Sequence, residues 1–285
     1  MTSPVFLLGL AGMRLVLRVT AGFAAAPPPP AFPAAVMGLH LINPLGLAAG
    51  FDRDGALLPG LQRCGFGLIE IGTVMTAAGS RCPDTVGAAI ARLARRRGHC
   101  GAVPVGVNFA SRNDGCGAQA LADYYAAMQR LWPFAEYLVA NLSSPHAPQR
   151  SQASAETRLA FVAALCAARD TLAHATGRTV PLAVKLALDP ASPRLVGRLK
   201  AIGLDAVIGV STEPAVVAAA ALALAPIPLI SVGGIRGAAD IALRLACGAA
   251  LVQVHRAFAR GGPRYPRRVL ANLEAMPTPR LPDRL

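Results

Sequence analysis

Eight short apolar runs recur along the chain, separated by longer stretches, such as 118–131 and 153–174, that have helix-like spacing of apolar residues. The runs are LGLAAGF (45–51), LIEIGTV (68–74), VPVGVNF (103–109), YLVANLS (137–143), PLAVKLA (181–187), AVIGVST (206–212), PLISVGG (228–234) and ALVQVHRAF (250–258). Most are almost continuously apolar, as strands buried on both faces are. Strand and helix alternating eight times predict an α/β fold, the (β/α)8 TIM barrel, which at 285 residues forms one domain.

The main alternative is a doubly wound open sheet, which also alternates strands and helices. Such a sheet commonly carries a G-x-G-x-x-G turn after its first strand, and this sequence has none there. The barrel is therefore the preferred fold, and we expect it to span residues 34–285. A hydrophobic content of 54% supplies its core.

Residues 1–33 form a separate N-terminal segment. The run PVFLLGLAGM has about half the length that crosses a bilayer, and its basic residues follow the run, unlike those of a signal peptide. Residues 4–24 are predicted to form a short apolar helical extension, and the proline-rich stretch 25–33 to act as a spacer. The helix either lies on a membrane surface or packs on the domain.

The formal net charge of +13 suggests an anionic partner, but only two of the 28 basic residues are lysines. That imbalance indicates a broad arginine bias rather than a selected basic face, so we expect no nucleic-acid partner. The six cysteines contain no C-x-x-C pair, which excludes the usual zinc spacings and offers no disulfide framework. We therefore expect no metal site and a location in the reducing cytoplasm.

Polar residues gather where the apolar runs end. In a TIM barrel these carboxyl-terminal strand ends line the active site. Strand ends meet polar loops in any protein, so the whole set carries the argument rather than any single residue. The set is Gly50-Phe51-Asp52-Arg53, Thr73, Asn108, Asn141 to Ser144, Lys185, Ser211-Thr212, Gly233-Gly234 and His255-Arg256.

The last two strand ends indicate phosphate binding. The glycine pair in SVGGIRG (231–237) lets backbone N–H groups approach an anion and opens a helix whose N-terminus favours negative charge. The run VQVHRAF follows on the eighth strand, and the loops after strands seven and eight commonly form the phosphate site of these barrels. We therefore expect a ligand that carries a phosphate.

Lys185 interrupts the apolar run LAVKLAL in a chain that uses arginine almost everywhere else. Burying an ammonium group is costly unless the group is paired. A bound anion, or an electron-rich ring that becomes anionic, would supply the partner. The alternative is a salt bridge to a carboxylate such as Asp189 or Asp205.

Several motifs resemble those of dihydroorotate dehydrogenases of the membrane-associated, quinone-linked class. They cover about residues 35–275 in the family's order: MGLHLINPLGLAAGFDRDG, GFGLIEIGTV, VGVNFASRND, DYYAAM, AEYLVANLSSPHAP, PLAVKLALD and PLISVGGIRGAADIALRLACGAALVQVHRAF. The resemblance implies FMN-dependent oxidation of dihydroorotate to orotate in pyrimidine biosynthesis. It also implies a quinone as electron acceptor and peripheral contact with the cytoplasmic side of the inner membrane.

The same resemblance implies a role for each matching residue. Ser144 stands where the quinone-linked class keeps its catalytic base, and would take a proton from C5 of dihydroorotate while hydride leaves C6 for flavin N5. Lys185 would stabilise negative charge on the reduced flavin. The residues implied to hold FMN are Ala48, Ala49, Gly50, Thr73, Asn108, Asn141, Lys185, Gly233, Gly234, His255 and Arg256.

The substrate side departs from the family pattern. Asn141 matches, but several positions where the family uses lysine or asparagine carry other residues, and the family's glycine-rich loop after the sixth strand is missing. His146 either accepts the proton from Ser144 through water or fills a vacated amide-binding position. The expected substrate-binding residues are Arg53, Arg95, Asn141, His146, Ser211 and Thr212.

These departures leave two alternatives beside dihydroorotate oxidation. One is a diverged flavin oxidoreductase that acts on another small cyclic amide or carbonyl compound, and the other is a non-catalytic barrel paralogue. Each buried polar group left unsatisfied costs about 1–3 kcal/mol, so a few altered positions are enough to erase substrate selectivity.

Overall fold

The computed structural model describes residues 12–15, 17, 32–75, 85–96, 103–143, 149 and 152–276. Its strands are β1 (Ala34–Val36), β2 (Leu39–Leu41), β3 (Leu45–Leu47), β4 (Leu68–Met75), β5 (Val105–Ala110), β6 (Tyr137–Asn141), β7 (Leu182–Ala187), β8 (Ala206–Val210), β9 (Leu229–Val232) and β10 (Leu251–Val254). Strands β3 to β10 pair in parallel in chain order, and β10 pairs with β3 to close the barrel. Each begins inside one of the eight predicted runs, so the predicted TIM barrel is confirmed.

Helices connect the barrel strands. The longest begins at a serine cap, where Ser154 Oγ accepts from the backbone N–H of Thr157, and ends at Gly177 in the left-handed conformation. The helices are α1 (Leu58–Leu61), α2 (Thr85–Arg96), α3 (Ala118–Leu131), α4 (Ala155–Thr176), α5 (Ser192–Arg198), α6 (Pro214–Leu224), α7 (Ala238–Ala246), α8 (Arg256–Gly261) and α9 (Tyr265–Glu274). A 3-10 turn, Leu199–Ile202, follows α5.

Strands β1 and β2 form an antiparallel ribbon ahead of the barrel, a feature outside the eight predicted strands. Met37 and Gly38 join them with positive φ angles of 56° and 73°, as a tight two-residue hairpin turn requires. Val36 and Leu41 are buried in one cluster with residues from the amino-terminal ends of barrel strands, including Leu68. The ribbon therefore packs on the amino-terminal end of the barrel.

Large side chains fill the half of the barrel interior that lies toward the amino-terminal strand ends. The Tyr137 ring lies against Gly106, where any side chain would collide with the ring, and its hydroxyl donates to the carbonyl oxygen of Ile69 at 3.3 Å. Burial raises the pKa of Tyr137 well above its usual value. Because apolar groups occupy this half, polar groups inside the barrel are confined to the half that lies toward the carboxyl-terminal strand ends.

The described part of the N-terminal extension, residues 12–15 and 17, is helical and packs on the barrel. Met13 and Leu17 are buried in the main core, while 63% of Leu15 is exposed. The backbone of Leu17 contacts Gly60 so closely that no other residue fits there. The remainder of the predicted helix 4–24 and the spacer up to residue 31 lie outside the described residues. Among those described, no helix has the length and hydropathy to span a membrane.

Candidate functional site

Four polar side chains form a layer inside the barrel, above the apolar half. They are Glu70 on β4, Asn108 on β5, Lys185 on β7 and Gln253 on β10. Each lies two residues beyond an inward-facing residue of its strand, so strand alternation points it into the barrel. Glu70, Asn108 and Gln253 are fully buried, and Lys185 is 9% exposed. The layer therefore places a cation beside a carboxylate and two amides.

Glu70 lies at the centre of this layer. Its Oε1 accepts from Asn108 Nδ2 at 2.8 Å and lies 3.5 Å from Lys185 Nζ. Its Oε2 accepts from Gln253 Nε2 at 2.7 Å. The three donors compensate a charge that would otherwise be costly to bury.

The carboxylate beside Lys185 differs from those that the sequence suggested. Asp189 instead accepts from Ser192 Oγ and caps the turn before α5. Asp205 accepts from Arg169 at 2.6 Å, at the amino-terminal side of β8. Both carboxylates are engaged away from the barrel interior. The structure therefore shows the predicted alternative for Lys185, an ion pair with a carboxylate, but the carboxylate is Glu70.

Thr73 and Asn141 lie above the buried layer and are linked to it. Thr73 Oγ1 donates to Asn108 Oδ1 at 2.6 Å, and Asn141 Nδ2 donates to Thr73 Oγ1 at 3.1 Å. Tyr124 fixes the backbone at Asn141 through a hydrogen bond of 2.6 Å to its carbonyl oxygen. Thr73, Asn108, Asn141 and Lys185 are thus brought together, as expected for a shared ligand.

The end of β3 approaches the end of β10 closely. Ala48 N donates to Val254 O at 2.9 Å, and Gly50 N donates to Gly72 O at 2.7 Å. Gly50 has a φ of 103°, and a Cβ there would lie 3.4 Å from His255 Nε2, so glycine suits both the conformation and the space. Burial lowers the pKa of His255, which favours the neutral imidazole. Ala49 lies between Ala48 and Gly50 in the chain and is half-buried.

The loop after β3 is held by a buried carboxylate. Asp52 Oδ1 accepts from Gly55 N at 3.1 Å, and Oδ2 accepts from Leu57 N at 3.0 Å. Burial raises the pKa of Asp52 to about 6, against the opposing effect of these backbone donors. Its neighbour Arg53 is exposed on the same loop, at the carboxyl-terminal end of the barrel.

The expected phosphate loop has the conformation that its glycines suggested. Gly233 and Gly234 have φ angles of 108° and 73°, and a Cβ on Gly233 would lie 2.9 Å from the carbonyl oxygen of Ser211. Behind them, the buried Arg244 donates from Nη2 to Thr212 O at 2.6 Å and to Gly233 O at 3.4 Å. Arg256 is exposed at the start of α8. A buried cation therefore supports this loop.

The loop after β8 is short, as the missing glycine-rich segment predicted. Only residues 211–213 separate β8 from α6. Ser211 Oγ accepts from the backbone N–H of Glu213 at 3.2 Å, so this hydroxyl braces the turn into the helix. Thr212 is exposed and donates to Glu213 at 3.3 Å.

Arg95 does not lie with the other predicted substrate residues. It is exposed in the last turn of α2. Its neighbour Arg96 binds Glu136 and the carbonyl oxygen of Val103, which precede the starts of β6 and β5. Since those strands are parallel, Arg95 is at the amino-terminal end of the barrel, opposite the site. The structure therefore does not bring Arg95 together with the other predicted substrate residues.

Ser144 and His146 lie outside the described residues. The residues on either side of them are fixed by hydrogen bonds. Ser143 donates from N and Oγ to Asn141 Oδ1 at 3.1 and 3.0 Å, and Gln149 N donates to Asp114 at 2.9 Å. The Ser143 contacts adjoin Thr73 through Asn141, and the Gln149–Asp114 contact lies in the exposed segment that follows β5.

Three residues of this region were missed in the sequence: Glu70, Gln253 and Arg244. A signal existed for the first two, because Glu70 in LIEIGTV and Gln253 in LVQV interrupt apolar strands as Lys185 does. Arg244 gave no such signal, because it sits in an ordinary helical stretch of an arginine-rich chain.

Comparisons with known proteins agree with this geometry. The family model described as dihydroorotate dehydrogenase matches residues 85–213 and 206–276. A dihydroorotate dehydrogenase (quinone) from Pseudomonas putida (strain W619) is 32% identical over 300 residues, covering 87% of this chain and 88% of the relative.

A dihydroorotate dehydrogenase (quinone) from Kineococcus radiotolerans is 33% identical over 339 residues, covering 96% of this chain and 91% of the relative. The crystal structure of Eimeria tenella DHODH in complex with ferulenol shares the fold, with a TM-score of 0.80 and 22% identity, over 96% of this chain and 91% of that one. The chain therefore belongs to the dihydroorotate dehydrogenase family.

Proposed function

We propose that this protein binds FMN at the mouth of the barrel and oxidises dihydroorotate to orotate, with a quinone as electron acceptor. The observation that carries the proposal is Lys185, a nearly buried cation held 3.5 Å from Glu70 beneath the strand ends. The names of the curated relatives, dihydroorotate dehydrogenase (quinone), support the same reaction. As a family member, the protein is a flavin oxidoreductase.

The residues at the mouth fit a flavin that carries a single phosphate. Gly233 and Gly234 present a loop without side chains, and within the described residues the buried Arg244 Nη1 behind that loop has no protein partner. Lys185 and Asn108 supply the cation and amide that suit a ring gaining negative charge. The first strand carries no dinucleotide turn, which favours FMN over a dinucleotide.

The proposed cofactor residues divide between the ring and the phosphate. Those proposed to contact the ring are Ala48, Ala49, Gly50, Thr73, Asn108, Asn141 and Lys185. Those proposed to hold the phosphate are Gly233, Gly234, His255 and Arg256. His255 would act there as a neutral donor or acceptor, because burial lowers its pKa.

In the proposed reaction Ser144 removes a proton from C5 of dihydroorotate. When bound, the flavin supplies a hydride acceptor that a quinone can reoxidise. A serine hydroxyl is a weak base, so the step needs a dry site and a group that takes the proton onward. His146 is the proposed relay, and its alternative role is to fill an amide-binding position. The Asn141–Ser143 hydrogen bonds fix the chain at the residue that precedes Ser144.

The remaining proposed substrate residues are Arg53, Asn141, Ser211 and Thr212. One observation favours a second substrate class, another small cyclic amide or carbonyl compound. Ser211 Oγ accepts from the N–H of Glu213 and keeps its O–H as a donor, and only residues 211–213 connect β8 to α6. This part of the site therefore offers a substrate fewer polar groups than the family's longer loop would.

The quinone in this proposal is a membrane-soluble acceptor, so we also propose peripheral contact with a membrane through the N-terminal extension. The exposed Leu15 on the described part of that helix supports the contact. No nucleic-acid partner is proposed, because the positive charge follows from an arginine bias spread along the whole chain.

The test is an absorption spectrum of the purified full-length protein, recorded without oxygen before and after dihydroorotate is added. We expect a yellow protein whose flavin band bleaches with dihydroorotate, and whose released cofactor co-elutes with FMN in chromatography. A flavin band that dihydroorotate leaves unchanged but another cyclic amide bleaches would establish the second substrate class. A folded protein that takes up no flavin would refute both.

A further inference from the structure

Glu70 is surrounded by groups that donate to it. Asn108 Nδ2 and Lys185 Nζ face Oε1 at 2.8 and 3.5 Å, and Gln253 Nε2 faces Oε2 at 2.7 Å. An ionised carboxylate only accepts hydrogen bonds, whereas an amide both donates and accepts. Glu70 and Lys185 therefore have a fixed hydrogen-bond polarity, and Glu70 is the one that receives a hydrogen bond from both amides of the layer.

That orientation continues beyond Asn108 toward the barrel mouth. Because Asn108 turns its amide N–H to Glu70, its Oδ1 faces Thr73 and accepts the hydroxyl proton at 2.6 Å. Having donated its proton, Thr73 Oγ1 accepts from Asn141 Nδ2 at 3.1 Å. Asn141 Oδ1 then accepts from Ser143 N and Oγ. Every donor in this chain of hydrogen bonds points toward Glu70.

The direction is not a property of the intermediate residues themselves. An asparagine amide can be rotated to exchange its donor and acceptor, and a threonine hydroxyl can turn. Asn108 is fully buried, so water does not compete for its amide. Glu70 is a fixed acceptor at one end of the chain, and the backbone N–H of Ser143 is a fixed donor at the other end, so both ends impose the same direction.

We infer that Glu70 is a positioning residue with two effects on the site. Its negative charge holds the ammonium of Lys185, and its acceptor oxygen sets the donor direction from Asn108 to Ser143, the residue that precedes Ser144. What is positioned, a flavin and its substrate, rests on the proposed function. Glu70 itself acts through its neighbours and does not contact the ligand.

The charge effect is tested with Glu70→Gln in the FMN-loaded full-length protein. Glutamine keeps an acceptor for Asn108 and Lys185 but removes the negative charge. We expect the reduction potential of the bound flavin to become more positive, because a negative charge that opposes the gain of electrons is lost. The matched control is Glu136→Gln, which changes a carboxylate that binds Arg96 at the opposite end of the barrel. An unchanged or more negative potential in Glu70→Gln would overturn the charge effect.

The direction effect is tested by a double-variant cycle that needs no flavin. Glu70→Met removes the acceptor, and Ser143→Ala removes a hydrogen bond at the far end of the chain. The equilibrium constant for urea unfolding is measured for each variant and for the pair. For unconnected sites, the effect of the double variant on the unfolding equilibrium constant equals the product of the two single effects to within about twofold. We expect the effect of this pair to differ from that product by at least about threefold. A multiplicative pair would overturn the direction effect.

The control cycle combines Glu70→Met with Ser192→Ala, which removes a hydroxyl that binds Asp189 outside the chain of hydrogen bonds. We expect this pair to be multiplicative. If Glu70→Met does not fold, the same cycle is measured with Glu70→Ala at lower temperature, and the potential of Glu70→Gln decides the charge effect. A wild-type protein that takes up no FMN would refute the proposed function, while the unfolding cycle would still decide the direction effect.

Discussion

Arg14 donates a hydrogen bond from Nη2 to the carbonyl oxygen of Phe51 at 3.0 Å, and its guanidinium carbon lies 6.0 Å from the centre of the Phe51 ring. Phe51 in turn packs edge-on against His255 and Phe258. The N-terminal helix is therefore joined to the loop that follows β3 and to the end of β10. Packing on the barrel and contact with a membrane can coexist, because they use different faces of the helix.

Leu15→Glu tests the membrane face. Leu15 is 63% exposed, so the change should leave the free energy of unfolding within about 0.5 kcal/mol of the wild type. We expect weaker binding to anionic liposomes in a sedimentation assay, because a charge replaces an apolar contact. Leu222→Glu, at an 81% exposed leucine on α6, is the control and should bind as the wild type does. Equal binding by both variants would mean that the helix only packs on the barrel.

Lys185→Ala tests the buried cation. The variant loses a charged donor to the proposed flavin, which corresponds to FMN affinity weaker by about 10- to 100-fold. It also leaves Glu70 without its cation, so we expect a loss of about 3–5 kcal/mol in the free energy of unfolding. Fluorescence titration with FMN and urea unfolding measure the two effects. Lys200→Ala, at the other lysine of the chain, is exposed and should match the wild type.

Ser144→Ala tests the proposed base. We expect flavin reduction by dihydroorotate to slow by about 10²–10⁴-fold, the range of a positioned proton-transfer group. Substrate affinity should stay nearly constant, because the hydroxyl acts mainly in the transition state. Stopped-flow measurement at several substrate concentrations separates the rate from the affinity. Ser192→Ala, which removes a hydroxyl that binds Asp189 away from the site, serves as control, and an equal slowing in both variants would argue against a specific base.

His146→Asn separates the two roles proposed for this histidine. If His146 relays the proton, the rate of flavin reduction in the wild type depends on pH near the usual histidine pKa of about 6.5, and the variant loses that dependence. If it fills an amide-binding position, asparagine leaves the pH profile unaltered and speeds the reaction with dihydroorotate. The measurement is the rate of flavin reduction across this pH range in both proteins.

Asp52→Asn tests a pH-dependent contribution to stability. Burial raises the pKa of Asp52 from 3.8 to about 6, so the folded protein binds this proton more tightly than the unfolded chain does. The stabilisation is complete below the unfolded pKa and is lost as pH rises through about 6. Relative to Asp52→Asn, the wild type should lose on the order of 3 kcal/mol in unfolding free energy across that range. Glu274→Gln, at an exposed carboxylate, is the control, and a constant difference between wild type and Asp52→Asn would contradict the expectation.

The barrel could be predicted because each of its strands and helices is indicated by a pattern within a short stretch of sequence. Each strand is an apolar run bounded by turn residues, and α3 occupies the helical stretch that its spacing indicated. The polar strand ends were equally readable, because parallel strands bring their carboxyl ends to one side of the barrel. Thr73, Asn108, Asn141 and Lys185 meet there although they are distant in sequence.

The structure differs from the predictions at features that depend on contacts between distant residues or on the alignment of a short motif. The β1–β2 ribbon consists of two three-residue strands, too short for a periodic signal. The partner of Lys185 was sought among carboxylates near in sequence, whereas Glu70 comes from a strand three positions away around the barrel. Arg95 was predicted from motif similarity, which does not determine at which end of α2 the side chain lies.

The hydrogen bond between Glu70 and Gln253 joins groups 183 residues apart in the chain. During synthesis, the Glu70 carboxylate therefore cannot form its hydrogen bond with Gln253 until nearly the whole barrel has been made. A chain that ends before β10 leaves unpaired edges on β3 and β9, the kind of edge that recruits other chains. It also leaves Glu70 Oε2 without its donor, which raises the cost of partial burial. Contacts of such long range slow folding, so barrel closure and completion of the polar layer should form one late, cooperative step.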